Sequence, residues 1–250
     1  MSLNPIIQAI VSSIVKPIVS KDGFTSETIS GLRLWVDAAD ASTITTATGV
    51  SVWGDKSGNG NDATQGSATA QPATGTTTQN GLNTLDFDGT NDMLNFPNLG
   101  LNGTSSNTIF FVTYIDSTTS GFDNPLSFGS GSEGRLETSS GGGDVLKSVG
   151  LGIKTSDTNI WSGGVDDAYN AYMLTTNGTT VTAELNGVAE YSDTQDGNWS
   201  TGAGVYGIMS SNTPNRWTKG KVAEILIYDR ALSASEIAIV NNYLKAKWGL

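Results

Sequence analysis

Two Asn-Gly pairs, Asn177-Gly178 and Asn186-Gly187, bracket the run Val181-Thr-Ala-Glu-Leu185. Both residues of such a pair accept positive φ, which a tight turn between antiparallel strands demands. The run between them alternates in character, so it reads as a strand flanked by hairpins. The rhythm recurs along the chain. Gly31-Leu-Arg-Leu-Trp-Val-Asp37 alternates, and Leu82 to Phe96 holds two short strands around Asp88-Gly89. Thr108-Ile-Phe-Phe-Val-Thr-Tyr-Ile115 is continuously β-branched or aromatic, as a central strand should be. Further strands are expected near Val149–Lys154, Ala171–Thr175, Gly204–Met209 and Val222–Tyr228. Ala63 to Asn80 reads as a long surface loop, and Gly121 to Gly143 as loop-heavy.

The 250 residues include no Cys and no His. That removes disulfides, Cys/His zinc sites, thiol nucleophiles and any base built on imidazole. A net charge of -11 gives no electrostatic footprint for nucleic acid and discourages anionic membrane surfaces. Its plainer meaning is solubility.

The two ends differ from the middle. Ile6, Ile7, Ile10, Val11 and Ile14 fall on one face at helical spacing, between Pro5 and Pro17. The segment lacks the basic start and small-residue cleavage site of a signal peptide, and is too short and polar to span a bilayer. It reads as a peg for a partner, or as a helix covering one end of the fold. At the other end, Ser233-Ala-Ser-Glu236 is a capping box. Ile237, Val240, Leu244 and Trp248 then line one helical face over residues 233–248. The expected organisation is a docking extension, 1–30, and one β-domain, 31–250.

A family resemblance rests on five segments in order. They are Leu34-Trp-Val-Asp-Ala38, Trp53 to Asn61, Leu85-Asp-Phe-Asp-Gly-Thr-Asn-Asp-Met-Leu94, Val181 to Val188, and Gly220 to Ser233. Together they resemble the laminin-G/pentraxin-like members of the concanavalin A-like lectin/glucanase superfamily, in its bacterial and phage branch. The resemblance covers about Gly31 to Leu250. It implies an all-β, antiparallel two-sheet jelly-roll sandwich that binds glycans or proteins, with rim calcium in some members.

Three chemistries have candidate residues in the chain. Asp55, Asn59, Asn61, Asp88 and Asp92 lie in loops dense in Asp, Asn and Gly, which can ligate calcium. The same residues build Asx-turns without metal, and that reading is preferred; no cofactor is required. Trp161, Asp166, Asp167, Tyr169, Trp199 and Trp217 combine aromatic faces with hydrogen-bonding groups, as a sugar platform needs, although aromatics also fill cores. Trp35, Trp53 and Trp248 are expected in the core. Glycoside hydrolysis needs paired carboxylates. The seven Glu show no Glu-x-Asp-x-x-Glu pattern, and Glu224 stands alone in an apolar strand.

A lectin-like sandwich, an apolar peg and no export signal suggest a non-enzymatic virion protein. The expectation is a phage capsid cement, decoration or tail-associated protein, homo-oligomeric in the assembly and docked on capsid or other virion proteins through the peg. Host-surface glycans would be its outward ligand. The alternative is an extracellular bacterial carbohydrate-binding or adhesion module, and a glycoside hydrolase ranks last.

Overall fold

The computed structural model describes residue 24 and residues 28–116, 124–129, 134–138, 145–149, 151–162, 166–202, 206–210 and 216–250. The apolar stripe of Ile6, Ile7, Ile10, Val11 and Ile14 lies outside them. The strands in chain order are β1 (Leu32–Asp37), β2 (Ile44–Thr46), β3 (Val50–Trp53), β4 (Ala63–Thr64), β5 (Ala73–Gln79) and β6 (Leu82–Asp88). They continue with β7 (Leu94–Phe96), β8 (Ser106–Ile115), β9 (Leu126–Phe128), β10 (Arg135–Thr138), β11 (Val145–Val149) and β12 (Thr158–Ser162). Then come β13 (Tyr169–Asn177), β14 (Thr180–Leu185), β15 (Val188–Thr194), β16 (Tyr206–Ile208) and β17 (Lys219–Tyr228), and helix α1 (Ala234–Trp248).

The strands form two antiparallel sheets. The first runs β15-β14-β13-β8-β17-β6-β5, with β1 also on β17; the second runs β12-β11-β10-β9-β16-β7-β4-β3-β2. Period-2 alternation sends Phe111, Tyr172 and Leu174 inward to meet Phe128, Trp161 and Tyr206 of the second sheet. As expected, β8 is central and almost wholly buried. Tyr172 stacks on Phe111 at 4.7 Å, and Trp161 meets both rings edge-on.

The two Asn-Gly turns are built differently. Asn186 and Gly187 both take positive φ, 53° and 74°. At the other turn only Gly178 does; Asn177 caps it through Oδ1, which accepts from the N–H groups of Thr179 and Thr180. Three expectations need correction. Residues 63–80 are not a loop throughout: β4 and β5 lie there, and Thr-rich β5 survives because, at the sheet edge, it needs little apolar surface. The loop-heavy stretch holds β9 and β10, pinned by buried Leu126, Phe128 and Leu136. The strand placed at 149–154 lies earlier, because Gly152 at φ 74° breaks extended chain.

The outer face of the first sheet carries a second core. Phe110, Met173, Leu226 and Tyr228 meet Val240, Leu244 and Trp248 of α1. Each such side chain contributes about 1.5–3 kcal/mol when buried. The capping box forms as read, Ser233 accepting from the Glu236 N–H, and Gly249 at φ 69° ends the helix. Phe24 is buried here, stacked 4.6 Å from Tyr243.

Between sheet and helix lies a buried charged clamp. Glu224, fully buried in β17, accepts from Trp35 Nε1 (2.7 Å) and Tyr243 Oη (2.6 Å) on one oxygen. Its other oxygen accepts from Lys247 Nζ (2.8 Å) and Trp248 Nε1 (2.7 Å). Lys247 also pairs with Asp37, which pairs in turn with Lys56. Burial, then the Asp37 charge, push the Glu224 carboxyl up, while Lys247 and Tyr243 hold it down. Four donors fill the lone pairs of one carboxylate, which is how a buried charge is tolerated.

Candidate functional site

The six residues read as a sugar platform divide among three places. Trp161 and Trp199 are core residues, 0% and 1% exposed. Their indole N–H groups go to the Glu184 carbonyl and the Thr176 hydroxyl. Neither ring can stack on a ligand, which corrects the expectation; a Trp at a strand end was read as exposed when its N–H had a partner inside. Asp166, Asp167 and Tyr169 come together at one end of the first sheet. Tyr169 lies 5.5 Å from Tyr114, Tyr114 Oη donates to Asp167, and Asp166 bridges Ile115. Trp217 stands apart, half-buried and bridged to Ser210.

The residues read as calcium candidates are hydrogen-bonded within and around their own loops. Asp55 accepts from the N–H groups of Trp35, Ser57 and Asn61 and from the Ser57 hydroxyl. The amides of Asn59 and Asn61 donate to the carbonyls of Leu32 and Arg33, tying the loop to β1. Asp88 accepts from the N–H groups of Thr90 and Asn91, and Asp92 from that of Asp88. These oxygens organise turns. Among the described residues no group of three or more acidic side chains is placed to hold a metal ion. Burial, together with the charges of Asp88 and Asp86, pushes the Asp92 carboxyl up to about 6.

A groove opens between α1 and the outer face of β13, β14 and β15, with a volume of about 560 Å³. Thr182 and Ser192, paired in the strand register, bring their hydroxyls to its floor; Thr175, opposite Thr182, also lines it, with its own hydroxyl bonded to Thr108 and the Asn107 carbonyl. Met173, Leu232 and Ile237 supply an apolar patch beside them. The α1 wall contributes Asn241, Asn242 and Lys245. Asn241 Nδ2 donates to Glu184 Oε2 at 2.5 Å and fixes that carboxylate. The Asn186-Gly187 turn closes one end against Asn241 and Lys245. Size, an apolar patch and convergent hydroxyls and amides are what a small polyhydroxylated ligand requires. Sequence reading missed this groove, whose residues lie on three strands, a helix and the connections beside them.

Fold and groove together describe a lectin-like β-sandwich with a sugar-sized cleft. The chain belongs to the concanavalin A-like lectin/glucanases superfamily, whose Laminin_G_3 family model matches residues 88–238. No curated protein sequence matches it. Among solved structures it is similar to the binding domain of Paraclostridial Mosquitocidal Protein 1, with TM-score 0.62 and 13% identity over 85% of this chain and 52% of that one. It is also similar to domain 4 of AbnA, a GH43 extracellular arabinanase from Geobacillus stearothermophilus, in complex with arabinotriose. There the TM-score is 0.60 and the identity 14%, over 85% of this chain and 97% of that one. Trypanosoma rangeli sialidase gives TM-score 0.59 and 16% identity, over 96% and 37%. This chain thus spans about half of the first structure and little more than a third of the sialidase, and the likeness is one of fold.

Proposed function

We propose that this chain is a non-enzymatic carbohydrate-binding module that holds a short saccharide in the groove between α1 and β13–β15. The observation that carries the reading is the Thr182 and Ser192 hydroxyls beside an apolar patch, in a groove of about 560 Å³. Sugars present alternating C–H faces and hydroxyls, and this surface matches both. The superfamily and the arabinotriose complex of the AbnA domain support the same class of ligand. Against hydrolysis stands the groove's chemistry: Glu184 is its one carboxylate among the described residues, and glycoside hydrolysis uses two. Glycan-array screening followed by calorimetry tests the reading. Ala238→Trp, on an exposed α1 position lining the groove, should fill it and abolish binding without unfolding the protein. Binding that survives Ala238→Trp would place the site elsewhere.

In the same proposal the module is displayed on a phage particle through its first 23 residues. The apolar stripe from Ile6 to Ile14 supports a docking role, and buried Phe24 supplies a fixed root for it. Removing residues 1–23, which keeps Phe24, should leave a folded monomer by light scattering and abolish incorporation into particles. Loss of folding on truncation would make the segment part of the core and refute the docking role.

A further inference from the structure

Resting on the groove reading above, we infer that the groove selects sugars that carry a carboxylate, with Lys245 as the residue that recognises the charge. The argument begins with the two lysines of the last turn of α1. Cations there suit the helix dipole, which explains both in part. Their surroundings differ. Lys247 is committed to Asp37 and Glu224. Lys245 forms no ion pair among the described residues, although the chain carries a net charge of -11. It is half-buried and lines the groove. Its ammonium lies beside the Asn186-Gly187 turn, 3.7 Å from where a Cβ on Gly187 would sit.

The neighbouring groups complete a recognition set for an acidic sugar. Glu184 gives one oxygen to Asn241 and keeps Oε1 for a ligand hydroxyl. Asn242, exposed on the same wall, offers an amide. A neutral sugar would use the acceptor and the amide and leave the ammonium without a direct ion pair. A uronate would satisfy all three, and an ammonium–carboxylate hydrogen bond is stronger than a neutral one.

The test uses the full chain and uronic-acid oligosaccharides, each paired with its methyl ester, which keeps the sugar and removes the charge. Calorimetry should show the acid binding on the order of tenfold tighter than the ester, with the difference shrinking as salt rises. Lys245→Gln should erase the difference and Lys245→Arg should keep it, with both variants melting as the parent does. Equal affinity for acid and ester overturns the inference, as does a preference that survives Lys245→Gln. If neither binds but a neutral glycan does, and Ala238→Trp abolishes that, the inference fails and the groove reading stands. If no glycan of either kind binds, both fail.

Discussion

Glu224→Gln is the sharpest test of how this fold is held together. The four donors now on Glu224 are matched by the lone pairs of a carboxylate. A glutamine keeps one oxygen and turns the other position into a donor. Two of the four donors then face an N–H: Trp35 and Tyr243 in one orientation of the amide, Lys247 and Trp248 in the other. Lys247 and Lys56 are left with Asp37 and Asp40 as their only counter-charges in the clamp. Breaking a buried ion pair costs about 3–5 kcal/mol, a large part of the 5–15 kcal/mol that holds an ordinary domain together. For a chain of this size that is a fall in melting temperature of roughly 6–20 °C. Urea unfolding followed by tryptophan fluorescence reads it, because Trp35 and Trp248 both touch the site. Replacing the pair together, Glu224→Leu with Lys247→Met, should not restore the parent stability, since the Trp35, Trp248 and Tyr243 donors would lose their acceptor and Asp37 its Lys247 partner. A loss below about 1 kcal/mol for Glu224→Gln would refute the clamp as a source of stability.

Three further perturbations follow from particular contacts. The Asp92 carboxyl is raised to about 6, so the folded state holds its proton more tightly than the unfolded chain. Its contribution is therefore present below about pH 4 and lost as pH rises through 6, by up to about 3 kcal/mol. Asp92→Asn should flatten the stability profile between pH 4 and 7, and an unchanged profile would refute the assignment. Glu236 is shifted the other way, to about 2, first by Arg230 and then by the Ser233 N–H. Its stabilisation is present above about pH 4.5 and lost as pH falls toward 2. With both side chains partly solvated we expect about 0.5–1 kcal/mol, removed by Arg230→Met in acid titration of the melting temperature. Gly220→Ala would drive a methyl into the Tyr114 carbonyl oxygen and within 2.8 Å of the Met209 methyl carbon. Strand pairing in the middle of the first sheet must then open, at about 3 kcal/mol or more, so poor soluble yield is expected; a melting temperature within 2 °C of the parent, roughly the effect of 1 kcal/mol or less, would count against it.

The sandwich could be read from the sequence because its determinants are local. Asn-Gly turns fix hairpins, the apolar run of β8 fixes a central strand, and Ser233 with Glu236 fixes the start of α1. Segments whose support comes from neighbours look like loops in sequence. The threonines of β5 bury little, and β9 and β10 each place only one or two residues in the core. The buried clamp was half visible: an acidic residue inside an apolar strand demanded partners, but those came from β1 and α1, far off in sequence.

Function was less legible, and for a physical reason. Tryptophans and aspartates are the chemically conspicuous residues in the sequence and the natural candidates for a sugar site. In this fold such residues have structural employment. Trp161 and Trp199 hold the two sheets together, and Asp55 and Asp88 fold their own loops. The groove is lined instead by threonine, serine, asparagine and alanine, residues too common to stand out in a chain rich in them. What brings them together is the register of three strands and the angle at which the clamp fixes α1 across them. Glu224 and Lys247 therefore act on the groove without lining it: they set the position of the wall that carries Asn242 and Lys245. A variant that loosens the clamp should weaken saccharide binding before it unfolds the protein, and that ordering separates a groove that binds from a mere seam between helix and sheet.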